Sequence, residues 1–223
     1  MKLFTLINHL LFPEKCVLCG QILRKEQLDL CSKCRIDQPE CAVSREKYPY
    51  LDSWIALWDY RDNVRRSLLK YKFYGRRNYA AAYGRLLSMK LLREDRTGVD
   101  LITWIPISQK RLKKRGFDQV ELLVQKVSQE LQIPAMALLW KKRDNPQQSR
   151  IVGNAQRRAN VLGAYEAIHR ESIQGKSILL LDDILTTGAT AGECARILLE
   201  AGAKEVHFAA VAAANKKNQD RKV

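Results

Sequence analysis

Two groups of residues in this 223-residue chain could do chemistry by their type and spacing. Near the N-terminus, Cys16-Val-Leu-Cys19 and Cys31-Ser-Lys-Cys34 form two CxxC pairs separated by eleven residues. Each pair sets two thiolates on one side of a tight knuckle, and two knuckles complete a tetrahedron around Zn²⁺. Gly20, directly after the first pair, supplies the turn that a knuckle needs. Four protein ligands leave no position for water, so the expected role is structural: a zinc ribbon holding about forty residues that could not bury a core alone. Paired surface thiols or a redox motif are the competing assignment. Cys41 brings the run to five cysteines within 26 residues but has no partner in the pattern, and it reads as a spare thiol. Cys194 shares a helical face with Ala191, Ala195 and Leu198 and reads as core.

The second group is Ile178-Leu-Leu-Leu-Asp182-Asp183-Ile-Leu-Thr186-Thr187-Gly188-Ala189-Thr190. An apolar strand ends in two acids, a Thr/Gly loop follows, and a helix begins. Backbone N–H groups at Thr186–Thr190 and the helix dipole favour a phosphate there, and Gly188 lets the backbone approach closely. Adjacent carboxylates cannot both face one ligand without strain; they suit ribose hydroxyls or a Mg²⁺ reached through water. No Gly-Lys-Ser/Thr follows, which excludes a Walker A loop.

The elements around these groups alternate. Ser53–Tyr60 reads as a strand, and Asp62 is a candidate cap for a helix from Asn63 to about Phe73, ended by Gly75. A helix follows over Tyr79–Arg93. Leu101–Ile107 reads as a buried strand, Phe117–Leu131 as a helix with Val120, Leu123, Val124, Val127 and Leu131 on one face, and Ala135–Trp140 as a strand. Ser177–Leu181, Thr190–Ala201 and Val206–Ala213 give strand, helix and strand. This order predicts an α/β fold, an open parallel sheet flanked by helices. The expected domains are 1–50, an N-terminal helix (Met1–Phe12) with the cysteine module, and 51–223, the α/β unit.

Composition is globular: 46% hydrophobic and 28% charged residues leave no room for a disordered or collagen-like chain. No apolar run reaches the ~18 residues of a membrane helix, and no cleavage site follows Met1–Phe12. A soluble, cytoplasmic protein is therefore expected. The net charge of +15 points to polyanionic or phosphorylated partners. Arg61–Arg77 holds seven bases against one acid, Lys110–Asp118 five against one, and Lys141–Arg158 six against one. The last stretch is long and polar, as a lid over a cleft would be. Aromatics interleave the first one (Tyr60, Tyr71, Phe73, Tyr74, Tyr79), as single-strand binding uses, although such aromatics also build cores. The histidines show no triad or ligand spacing.

LLLDDILTTGAT resembles the phosphoribosyl-pyrophosphate (PRPP) motif of type I phosphoribosyltransferases. The resemblance implies that Asp182 and Asp183 contact ribose hydroxyls and that Thr186, Thr187, Gly188, Ala189 and Thr190 hold the 5′-phosphate, with Mg²⁺ accompanying PRPP. Pro106-Ile-Ser-Gln-Lys-Arg111-Leu-Lys-Lys114-Arg115-Gly116-Phe117-Asp118-Gln119, the stretch Gln148 to Arg157-Arg-Ala-Asn160-Val-Leu-Gly163-Ala-Tyr165, and Lys72…Gly75-Arg76-Arg77 are similar to segments of the ComF family. With the cysteine module, the likeness covers nearly the whole chain. Asp118 stands where that family carries Asn, which replaces a neutral group with an acceptor-only charge, and Ser108 stands near a position where a Pro-like turn often sits.

The resemblance implies a type I phosphoribosyltransferase-like fold behind a small zinc-ribbon module, handling of single-stranded DNA during natural transformation, and a DNA-uptake helicase and competence proteins as partners. Arg111, Lys114 and Arg115 are candidates for the pyrophosphate side. Lys72, Arg76, Arg77 and Arg157 are candidates for nucleic acid. Three uses of one cleft stay open: a DNA-handling protein, a transferase passing phosphoribosyl to a base or amine, and a PRPP sensor.

Overall fold

The computed structural model describes residues 13–42, 46–144 and 159–214. Met1–Phe12, Arg157 and most of the lid stretch lie outside the described residues.

Four parallel strands form the sheet, in the order β1-β6-β5-β2: β1 (Ser53–Asp59), β2 (Leu101–Trp104), β5 (Ser177–Leu185) and β6 (Glu205–Ala213). Their apolar residues alternate between two cores, as strand geometry requires. Ile55, Leu57, Leu179, Leu181, Ala209 and Val211 face one core; Ala56, Ile178, Leu180, Phe208 and Ala210 face the other. Three helices cover the first face: α2 (Asp62–Phe73), α3 (Tyr79–Arg93) and α5 (Gln119–Leu131). Helix α7 (Ala189–Glu200) covers the second through Ala191, Cys194, Ala195 and Leu198. The expected open parallel sheet with flanking helices is what the chain forms.

The cysteine segment is not a free appendage. Cys16, Val17, Leu18, Leu30, Cys31 and Cys34 belong to the same buried cluster as Val64, Leu68 and Tyr83. Arg85 grips Asp29 with two guanidinium nitrogens, Ser67 Oγ donates to the Val17 carbonyl, and Lys90 Nζ donates to the Cys41 carbonyl at 2.8 Å. Helix α1 (Ser32–Asp37) starts at Cys31, whose Sγ accepts from the Cys34 amide.

Several elements differ from expectation, each for a local reason. Gln109–Arg115, between the expected strand and helix, is a short helix, α4; Ser108 Oγ accepts from the Arg111 amide at its start and Gly116, at φ 76°, stops it. Arg111, Lys114 and Arg115 therefore ride a helix. β2 ends at Trp104, since Pro106 lacks an N–H for the ladder. Ala135 makes one parallel bridge to Ile102, and β3 (Leu139–Lys141) turns away to pair antiparallel with β4 (Tyr165–Ala167). Asp62 does not cap α2; Arg61 holds that position without a side-chain bond. A short helix, α6 (Arg170–Ile173), leads into β5.

Candidate functional site

β2 stops opposite Leu181, while β5 runs on beside β6 through Asp182↔Ala210 to Leu185↔Ala213. This overhang at the carboxyl end of the sheet bares both acids, where open α/β sheets bind ligands. A cleft of about 300 Å³ opens there. Asp182, Asp183, Thr186, Gly188, Ala189 and Thr190 line it, with Arg111, Arg115 and Lys72 on the opposing walls. Thr187 and Lys114 are not among its lining residues, and neither are Arg76 and Arg77.

Alternation along β5 sends the two acids to opposite sides of the strand. Asp183, 7% exposed, faces α2 and accepts from Lys72 Nζ at 2.9 Å. Asp182 faces the second core, where Tyr165, Lys141 and Cys194 lie within its field. Burial, and then the charge of Asp183, push the Asp182 carboxyl well above the ordinary range, with Lys72 pulling the other way. A carboxyl that resists ionisation beside a second one can share a proton or give it up to a cation.

Basic groups reach the cleft from three elements. Lys141, at the end of β3, is pushed down chiefly by burial, and its Nζ donates to Tyr165 Oη at 2.9 Å. Arg115, on α4, is likewise lowered by burial; its Nη1 donates to Gln119 Oε1 at 2.8 Å. Gln119, 1% exposed, donates its amide to the Lys72 carbonyl at 3.1 Å and accepts from Tyr71 Oη on its own carbonyl. The ends of α2, α4 and α5 are thus locked together. Asp118 turns out to be the cap of α5: Oδ1 accepts from the Val120 amide at 2.8 Å and the Glu121 amide at 3.4 Å, and Oδ2 accepts from the Ile107 amide at 3.1 Å. Its charge is spent on backbone donors, so it contributes position and no ligand contact.

The Thr186–Thr190 loop rests on a strap from the other end of the sequence. Gly188, at φ 74°, has the Tyr48 ring where a side chain would be: an added Cβ would lie 2.1 Å from Cδ1. Four residues on, a Cβ at Gly192 would meet the Pro49 carbonyl at 3.1 Å. The Tyr48 ring also stands edge-on to Trp54 at 5.4 Å. Sequence reasoning missed Tyr48, Gln119, Lys141 and Tyr165 as parts of the site. Only Lys141, a base at a strand end, gave a usable signal.

Apart from the cleft, the Sγ atoms of Cys16, Cys19, Cys31 and Cys34 all lie within 4.8 Å of one another. Cys19 and Cys31 are 3.7 Å apart, close to the ~3.8 Å edge of a tetrahedron with Zn–S bonds of ~2.3 Å. Four thiolates at this spacing could hold a metal ion such as zinc. Cys41 stands outside the cluster, buried, its thiol pushed up to about 11 chiefly by burial. Cys194 is fully buried, as its helical spacing required.

The nucleic-acid candidates separate. Lys72 lies in the cleft; Arg76 and Arg77 are exposed beside its mouth; Arg157 falls outside the described residues. Among the aromatics, Tyr71 is fully buried, whereas Phe73 and Tyr74 are 56% and 74% exposed.

Residues 121–223 match the phosphoribosyl transferase domain family. The chain is 28% identical over 199 residues to the DNA utilization protein YhgH of Escherichia coli O157:H7, covering 86% of each. It is 29% identical over 225 residues to the competence protein ComFC of Streptococcus pneumoniae, covering 86% of this chain and 96% of that one. To the competence protein F of Haemophilus influenzae it is 23% identical over 217 residues, covering 87% and 95%. The domain match, with relatives that span most of the chain, supports a ComF-family protein.

Proposed function

We propose that this protein binds Mg–PRPP in the cleft at the end of β5 and handles single-stranded DNA in the cytoplasm during natural transformation. The observation that carries the reading is the meeting, in one cleft, of an Asp-Asp strand end, a Thr/Gly loop opening α7, and the cations Lys72, Arg111 and Arg115. Each part suits one part of PRPP. The acids suit the ribose hydroxyls and a hydrated Mg²⁺, the loop's N–H groups suit the 5′-phosphate, and the guanidinium groups suit the pyrophosphate. We take residues 1–50 as a zinc-holding module and 51–223 as the PRPP-binding unit, with the zinc structural. The relatives' names, competence and DNA utilization, support the DNA half.

The transferase reading rests on the same groups and is favoured by one observation: Lys141 and Arg115 reach the cleft from partly buried positions, where a cation stabilises a departing pyrophosphate strongly. In that reading the chain would position PRPP and neutralise the leaving group while an amine or base attacks C1′.

Calorimetric titration of the zinc-loaded protein with Mg–PRPP tests the shared core of both readings. We expect saturable 1:1 binding, lost in Asp183→Asn; no heat from protein that is folded and zinc-loaded overturns it. Pyrophosphate release over a panel of bases and amines then separates the two: release means transfer, and none with PRPP bound means a binding protein.

A further inference from the structure

Two of the basic stretches of the sequence, Arg61–Arg77 and Lys110–Asp118, distant along the chain, form one surface at the mouth of the cleft. The guanidinium of Arg77 lies 4.1 Å over the ring of Phe117, and that of Arg115 lies 5.4 Å over the ring of Phe73. Gly116, between Arg115 and Phe117, brings the chain close to Arg77; an added Cβ would lie 3.4 Å from its Nη2. The result is a ledge of alternating rings and cations: Phe73, Tyr74, Arg76, Arg77, Arg115 and Phe117.

Three properties define what fits it. First, Phe73 and Tyr74 keep more than half of their surface open although neither closes a core. Exposed rings this close together are unusual on a soluble surface without a partner. Second, from Asn63 to Asn78 and from Gln109 to Phe117 the sequence holds no acid, so the two segments themselves bring no charge that opposes an anion; Asp183, which acts on Arg115, is paired with Lys72. Asp118, next in line, is 6% exposed and bonded to backbone amides. Third, the ledge runs into the cleft, because Phe73 and Arg115 belong to both.

We infer that this ledge is the seat of single-stranded DNA, with bases stacked on Phe73 and Tyr74, phosphates on Arg76 and Arg77, and the strand's path leading to the cleft mouth. The inference rests on the DNA half of the proposed function and gives it a place. Rings and guanidinium planes suit unpaired bases, whose faces are open; a duplex offers only phosphates there. Because Arg115 and Phe73 serve both surfaces, a ligand in the cleft and a strand on the ledge share binding groups.

The test is fluorescence anisotropy of a labelled oligothymidylate at about 50 and about 200 mM salt. Phe73→Ala and Tyr74→Ala should each weaken binding about 5- to 100-fold at both salts, leaving the salt slope as in the wild type, because stacking is not screened. Arg76→Gln/Arg77→Gln should flatten the slope by about 1.4, which is about 0.7 for each phosphate that is no longer neutralised. Trp140→Ala, which removes an exposed ring on the β3 ribbon, serves as control and should bind as the wild type. Wild-type protein that binds no oligothymidylate at either salt overturns the DNA function itself, and the ledge with it. Wild-type binding with Phe73→Ala and Tyr74→Ala unaffected overturns the ledge alone. All four side chains are exposed, and thermal melts like the wild type's confirm that the variants are folded.

Discussion

Gly188 is the most tightly constrained point of the Thr/Gly loop. Replacing it with alanine places a Cβ 2.1 Å from Tyr48 Cδ1, against the 3.5–4.0 Å at which carbons rest, so the ring or the loop must move by about 1.5 Å. Overpacking of that kind costs about 1–3 kcal/mol. The left-handed backbone at φ 74° adds about 1–2 kcal/mol for any residue with a Cβ. Gly188→Ala should therefore destabilise by about 2–5 kcal/mol, a large part of the 5–15 kcal/mol typical of a folded chain. The two contributions separate in a double-mutant cycle. In a Tyr48→Ala background the steric part disappears and only the backbone part stays, so the same substitution should cost about 1–2 kcal/mol. Urea unfolding of the four proteins measures this, with m-values checked for constancy. A cost equal in both backgrounds, within about 0.5 kcal/mol, refutes the strap. If the loop holds the 5′-phosphate, Tyr48→Ala should also weaken ribose 5-phosphate more than pyrophosphate, and Tyr48→Phe should restore it.

Asp182→Asn should stabilise the ligand-free protein while weakening Mg–PRPP. Its carboxyl is raised in the fold, so its contribution is full below the unfolded value near 3.9 and declines as pH rises through the raised one. The melting temperature of Asp182→Asn should accordingly exceed the wild type's at neutral pH and converge with it in acid, each kcal/mol being worth about 2–4 °C; parallel curves at all pH contradict this. If the four thiolates hold a metal, its removal with a chelator, or Cys16→Ser, should lower the stability of the whole chain in one transition, because the cysteine segment packs into the core of α2 and α3; a sheet that melts unchanged by circular dichroism shows the module to be independent. Asp118→Ala should cost about 1–3 kcal/mol in urea by stranding the Val120, Glu121 and Ile107 amides, with salt-independent magnitude.

What the sequence made legible was what is written locally. Tyr79–Arg93 is helical over the span its apolar pattern marks, β5 and α7 bracket the Asp-Asp and Thr/Gly residues, and the CxxC spacing anticipates the thiolate cluster. Helix α4 escaped because QKRLKKR has a single apolar residue and no periodicity; its cap Ser108 and its stop Gly116 were present but flank no hydrophobic stripe. Asp118 read as a departure near an anion site, inside a helix expected from Phe117; the helix starts at Gln119, and an Asp just ahead of the apolar face that begins at Val120 was the signal of a cap. The parts that stayed hidden join distant residues: Lys72 to Asp183, Tyr48 to Gly188, Arg77 to Phe117. Such pairs follow from how helices pack across a sheet, which no local pattern records. Tyr71 and Tyr74 make the same point within one segment, since one is sealed in the core and the other stands open three residues on.

Whether one surface serves both PRPP and single-stranded DNA is decided by the affinity of the zinc-loaded protein for a labelled single strand with and without saturating Mg–PRPP. We expect salt-dependent binding whose midpoint shifts when Mg–PRPP is present, with the reciprocal shift in PRPP affinity when DNA is present. Strand binding that ignores Mg–PRPP, in protein shown by calorimetry to hold it, would mean that the two ligands occupy separate surfaces.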